Sequence, residues 1–148
     1  MEKQRPIVGD LTCKPTSKSV IISLMRFVIL NHQPPTSPNE SARTSQAHFD
    51  LLFEKVSGED LKTIAVDELP QVDQQVDFVA LPDHRSDYLS YEGEISGGRG
   101  SVTRFASGNW NGEFSGDLQL LFENGSANFA GQTWSLRVDC DANTLLRL

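Results

Sequence analysis

The sequence predicts a mainly β protein, a single small β-barrel with little helix, and three observations carry that expectation. Short runs rich in Val, Ile, Leu, Phe and Thr recur along the chain. Glycine and polar turn residues punctuate them at the close spacing typical of barrels and sandwiches. At 148 residues the chain can bury the core of one domain but is short for two. No internal repeat is present.

Taken in order, the leader "MEKQRPIVGDLTCKPTSKS" is polar and has no apolar pattern with which to dock. Residues 1–24 are therefore expected to be a poorly anchored extension, with the domain at 25–148 and Met25 an alternative start. Val20 to Leu30 reads as a strand. Residues 33–46, "QPPTSPNESARTSQ", hold three prolines among small polar residues and are expected to form a mobile loop. "AHFDLLFEK" and, after the turn signal "SGED", "LKTIAVDEL" read as the next strands. "QVDQQVDFVAL" tolerates either a short helix or a strand. From Tyr88 onward the β-prone runs are "YLSYEGEI", "GSVTRFA", "NWNGEFSG", "DLQLLFE", "SANFAG" and "TWSLRVD", and Asn124-Gly125 predicts a two-residue hairpin turn.

Composition narrows the function. No apolar run approaches the roughly 20 residues that span a bilayer, so no membrane segment is expected. "VIISLMRFVIL" begins late and is broken by Arg26, which argues against a secretory signal and for cytoplasmic residence. Cys13 and Cys140 stand in no metal-type spacing and read as free thiols. A net charge of −7 and a pI near 4.8 argue against a broad grip on a nucleic-acid backbone, which depends on Lys and Arg. Phosphate chemistry would have to come from a few placed side chains or a metal ion.

The residues able to do chemistry are few. In a strand over "HFDLLFE", His48, Asp50, Leu52 and Glu54 share one face, while Phe49, Leu51 and Phe53 share the other and form the expected core. His32 ends the preceding β run, so a neighbouring strand can bring it to His48 and Asp50. Two imidazoles and a carboxylate suit a divalent ion such as Mn²⁺ or Zn²⁺. The third histidine, His84, lies in "LPDHRSDY". "SGGRG" is either a tight β turn or a set of backbone N–H groups that holds an anion with Arg99. It lacks the Lys-Ser/Thr ending of a phosphate loop, and no Gly-x-Ser-x-Gly elbow occurs.

Read together, "FVILNH", "HFDLLFE", "DHRSDYLSYEGEI", "GGRGSV", "SGNW" and "GDLQLLFENGSANFAGQTWSLR" resemble the 3′-phosphoesterase domain of the bacterial DNA ligase D family, over about residues 25–138. The resemblance implies a small β-barrel that uses Mn²⁺ to trim DNA 3′ ends, removing a terminal ribonucleoside and then the 3′-phosphate. It also implies His32, His48 and Asp50 as metal ligands, His84 on the scissile phosphate and Tyr88 as its active-site neighbour. Nucleic-acid 3′ ends would be the substrate and ligase or polymerase repair proteins the partners, with the domain itself a monomer.

Departures from the family pattern weaken the expected catalysis. Leu52 stands where the family has an arginine, Glu68 where it has a lysine, and Pro82 where it has an acidic residue. Two cations that would face a phosphate are missing, and such losses cost orders of magnitude in rate. Arg85, Arg99 and Arg104 are the candidate replacements. The alternative is a noncatalytic barrel that binds a nucleic-acid end or a protein partner; a purely structural barrel would not gather the histidines.

Overall fold

The computed structural model describes residues 25–35, 46–125 and 129–148. The expectations for residues 1–24, most of the 33–46 loop and Cys13 lie outside the described residues. Ten strands follow one another: β1 (Met25–Gln33), β2 (His48–Phe53), β3 (Leu61–Val66), β4 (Gln75–Asp77), β5 (Val79–His84), β6 (Gly93–Glu94), β7 (Ser101–Gly112), β8 (Asp117–Gly125), β9 (Thr133–Asp139) and β10 (Thr144–Arg147). The helical segment among the described residues is a single 3₁₀ turn, Ser86–Leu89. No described helix is long and apolar enough to cross a membrane.

The strands form one antiparallel sheet in the order β4, β10, β9, β8, β7, β1, β2, β3, β5, with β6 added on β7. The mainly β expectation is met. The pairing path, however, is open, so closure into a barrel is not part of the hydrogen-bonded sheet. Its two ends, β4 and β5, are separated in sequence by Phe78 alone, whose N–H donates to the Asn143 carbonyl at 2.9 Å. Among the described residues no ladder joins those two ends.

β1 and β2 bury both faces, because each face carries its own apolar row. Phe27, Ile29, Leu51 and Phe53 join Ile64, Trp110, Leu120, Phe122, Trp134 and Leu136 in the main core. On the opposite face Val28, Leu30, Leu52, Leu61 and Val102 form a second cluster, covered by Tyr88, Leu89 and Ile95. Each such side chain, fully buried, contributes roughly 1.5–3 kcal/mol. A bulge in β7 opposite Ile29 and Leu30 lets Phe105 and Ala106 both turn to the main core, while Val102 stays in phase with the second cluster.

Several local expectations are settled or corrected. Of the two readings open for "QVDQQVDFVAL" the strand holds from Gln75, as β4 and the start of β5, and in "YLSYEGEI" Tyr88 and Leu89 end the 3₁₀ turn while Gly93–Glu94 is β6. "GSVTRFA" and the first half of "NWNGEFSG" merge into β7, which ends at Gly112. Asn124 and Gly125 do not turn: they pair with Ser107 and Ala106 at the end of β8. A Cβ on Gly125 would lie 2.7 Å from Phe129 Cβ and 3.1 Å from Ala106 Cβ, so this glycine makes room for an aromatic side chain. Phe129, in "SANFAG", lies between β8 and β9 and packs on the main core. β10 was not expected; its signal is only the short apolar pair Leu145-Leu146, of which Leu145 is core.

Candidate metal centre

The register of β1 on β2 builds the centre. His32 pairs with His48 and Leu30 with Asp50, so alternation places His32, His48 and Asp50 on the face of the second cluster, at its polar end. One ligand atom from each lies within 4.8 Å of the others. His32 Nδ1 is 3.0 Å from Asp50 Oδ2, and His48 Nε2 is 3.0 Å from Asp50 Oδ1. The two imidazoles are tilted against each other with centroids 4.6 Å apart.

The outer nitrogen of each ring is committed to a backbone carbonyl. His32 Nε2 lies 2.9 Å from the Arg99 carbonyl, and His48 Nδ1 lies 3.1 Å from that of Gln46. A carbonyl only accepts, so those nitrogens carry hydrogens. A bond from an inner nitrogen to the Asp50 carboxylate therefore needs a second hydrogen, which makes that ring an imidazolium; in the neutral ring the inner nitrogen presents a lone pair at the same point, where it can take a metal ion. This is the outer bonding that orients histidines toward a metal.

Electrostatics agree with a cation at this point. Asp50 is 2% exposed. Burial pushes its carboxyl up, but the opposing pull of His32 and then His48 prevails and holds it below the usual carboxylate range. His48 is raised above its ordinary value by contact with Asp50, against burial. Yet Asp50 Oδ1 has no hydrogen bond: its approach to His48 Nε2 is within charge-contact distance but out of bonding alignment. A buried anionic oxygen without a bond costs free energy, and a divalent ion held by two imidazoles and this carboxylate would supply its partner.

The triad lies in a cleft of about 740 Å³ that His84, Arg85, Tyr88 and Arg99 also line. That volume is within the range of small-molecule sites. His84 ends β5, its Nδ1 is 3.0 Å from the Pro82 carbonyl, and its ring stands edge-on to Tyr88 at 5.5 Å. Arg99 is turned back on Ser96, with Nε 2.8 Å from the Ser96 carbonyl. Arg104 is apart from these: it is exposed, does not line the cleft, and its backbone N–H donates to Glu92 Oε2 at 2.6 Å.

Leu52 is 0% exposed inside the second cluster and does not line the cleft, and Glu68 is exposed and outside the lining. Sequence reading missed Asp67 and Asp83, two acidic groups in the lining, and the Gln46 and Arg99 carbonyls. Asp67 follows the Phe49–Val66 pair, so its place beside His48 was readable only once that register was known. A carbonyl that orients a ring leaves no trace in residue type. No family model matches this chain, and no curated protein matches it.

Proposed function

We propose that this protein is a divalent-metal-dependent phosphoesterase of nucleic-acid 3′ ends, similar to the 3′-phosphoesterase domain of the bacterial DNA ligase D family. The observation that carries the reading is the meeting of His32, His48 and Asp50 in one cleft with the chain's third histidine, His84. Mn²⁺ or Zn²⁺, held by that triad, would polarise a phosphoryl oxygen and lower the pKa of a bound water. Arg85 and Arg99 would receive the phosphate. His84, with Nδ1–H given to Pro82, would bring its other ring nitrogen to the ester oxygens, and Tyr88 would hold that ring edge-on. The donor set by itself also suits Fe²⁺; two arginines in the lining favour a phosphate. The finer architecture belongs to the same proposal: a barrel whose seam is the continuous stretch through Phe78.

Incubation with Mn²⁺ and a primer-template ending in a 3′-phosphate or one ribonucleotide tests the reading. Turnover by the native protein that His48→Ala and His84→Ala both abolish is the expected result. Absence of turnover with Mn²⁺ or Zn²⁺ would leave the noncatalytic end-binding module, which the buried Leu52 and outlying Glu68 favour because both replace cations of the family pattern. Ligase or polymerase partners would complete a repair reaction in either case.

A further inference from the structure

The loop between β6 and β7 touches the metal centre through its backbone. Ile95 N–H donates to the Gly100 carbonyl at 2.8 Å, closing the loop where Glu94 pairs with Ser101. Inside it, Arg99 folds back on Ser96 through Nε and, at 3.4 Å, through Nη2 to Ser96 Oγ. Gly100 has a φ of +95°, and a Cβ there would lie 2.0 Å from the Gln33 carbonyl oxygen, backbone that cannot swing aside. Gln33 follows His32 directly. This contact, which a side chain at position 100 would block, seats the loop against the residue next to a candidate ligand, and the Arg99 carbonyl lies 2.9 Å from His32 Nε2.

Resting on the metal-centre reading above, we infer that the Ser96–Gly100 turn is the positioning element of that centre, with a separate task for each half of Arg99. Its carbonyl takes the Nε2–H of His32 and so fixes Nδ1 as the nitrogen that faces Asp50. Its guanidinium, with only part of its donor set spent on Ser96, lines the cleft where an anionic group of the ligand would sit. The sequence pattern "SGGRG" is thus neither a phosphate loop nor a bare turn. Its glycine at 100 is there to let two backbones approach, and its arginine is placed by that approach.

The two tasks come apart under substitution. Gly100→Ala must push the loop off Gln33, so it is expected to raise the Zn²⁺ dissociation constant, measured by calorimetry, by roughly 10–100-fold, the cost typical of losing an outer partner of a metal-binding histidine. Arg99→Ala retains the carbonyl; it should leave Zn²⁺ affinity little changed and weaken binding of inorganic phosphate to the Zn²⁺-loaded protein. Imidazole ¹⁵N spectra of the native protein provide a readout independent of any variant's folding. His32 should carry its proton on Nε2, and Zn²⁺ should shift Nδ1. A native protein that takes up no Zn²⁺ or Mn²⁺ overturns the metal-centre reading itself. Native uptake with unchanged affinity in Gly100→Ala, or a zinc-bound His32 protonated on Nδ1, overturns the positioning role and leaves the metal centre standing.

Discussion

Asp50 in β2 and Glu54, the residue after its last, share one face, 2% and 4% exposed, and differ in how completely they are partnered. Glu54 Oε1 accepts the Arg26 backbone N–H at 3.1 Å, Oε2 accepts Arg26 Nη2 at 3.0 Å, and the residue's own carbonyl accepts Trp110 Nε1 at 2.9 Å. Its charge is answered by protein groups, and it ties β1, β2 and β7 together. Asp50 has one oxygen bonded to His32 and one without a bond, between two rings whose outer nitrogens are already committed. A buried carboxylate with a full set of donors is architecture. One left incomplete beside two oriented imidazoles has the form of a site.

Leu52 lies between the two acids on that face, and changing it makes the largest expected difference. Leu52→Arg removes packing against Val28, Leu30, Leu61 and Val102 and desolvates a charge, which should cost more than about 3 kcal/mol in chemical denaturation. Unchanged stability together with faster phosphoester turnover would mean that this position opens into the cleft after all, and that the face does not divide as drawn.

Asp50→Asn sharpens the contrast from the other side. Losing a ligand should weaken Zn²⁺ binding by more than about 100-fold, beyond what outer-shell changes cost. Without metal the variant should also lose stability at neutral pH, because the lowered Asp50 pKa means that the ionised carboxyl is favoured in the fold. Unchanged Zn²⁺ affinity in Asp50→Asn would make Asp50 another structural acid.

Glu54→Gln should leave metal affinity intact while costing about 1–3 kcal/mol of stability. The Arg26 hydrogen bonds hold the Glu54 carboxyl below its usual range, outweighing burial. With a lowered folded-state pKa its contribution is complete above the ordinary glutamate value of about 4.3 and is lost as pH falls through the lowered one. The stability gap between native protein and Glu54→Gln should therefore be widest near neutrality and close in acid; a gap independent of pH would remove the charge from the explanation. The smallest effect is expected from Arg104→Ala, within about 0.5 kcal/mol and silent in phosphate binding to the Zn²⁺-loaded protein. Arg85→Ala should weaken that binding, and equal losses from both would extend the anion site beyond the cleft.

How much of this was legible in the sequence depends on which interaction decides each part. Alternation in "HFDLLFE" is a local rule, and it placed His48 and Asp50 together; His32 needed only a neighbouring strand, which the β1–β2 register provides. The same rule assigned Phe49, Leu51 and Phe53 to a core but could not reveal that Leu52 and Glu54 are buried as well, since a second covering layer comes from Tyr88, Leu89 and Ile95 far along the chain. Asn124-Gly125 misled because a tight-turn pair is also a place where a missing side chain admits a distant one, here Phe129. Arg85, Arg99 and Arg104 were indistinguishable as letters. The loop closure at Ile95 and Gly100 and the 3₁₀ turn sort two of them into the cleft.

The stretch from Gln75 to His84 has a further consequence, for association between molecules. Unpaired strand edges recruit other chains, and both ends of this sheet belong to that one stretch, interrupted by Phe78. One edge, β4, is three residues long; the other, β5, contains Pro82, which offers no N–H, followed by exposed Asp83. The same segment carries Leu81, Asp83 and His84 into the cleft lining. Protection of the sheet edges and the lining of the cleft thereby fall on the same ten positions, so selection on either property constrains the other.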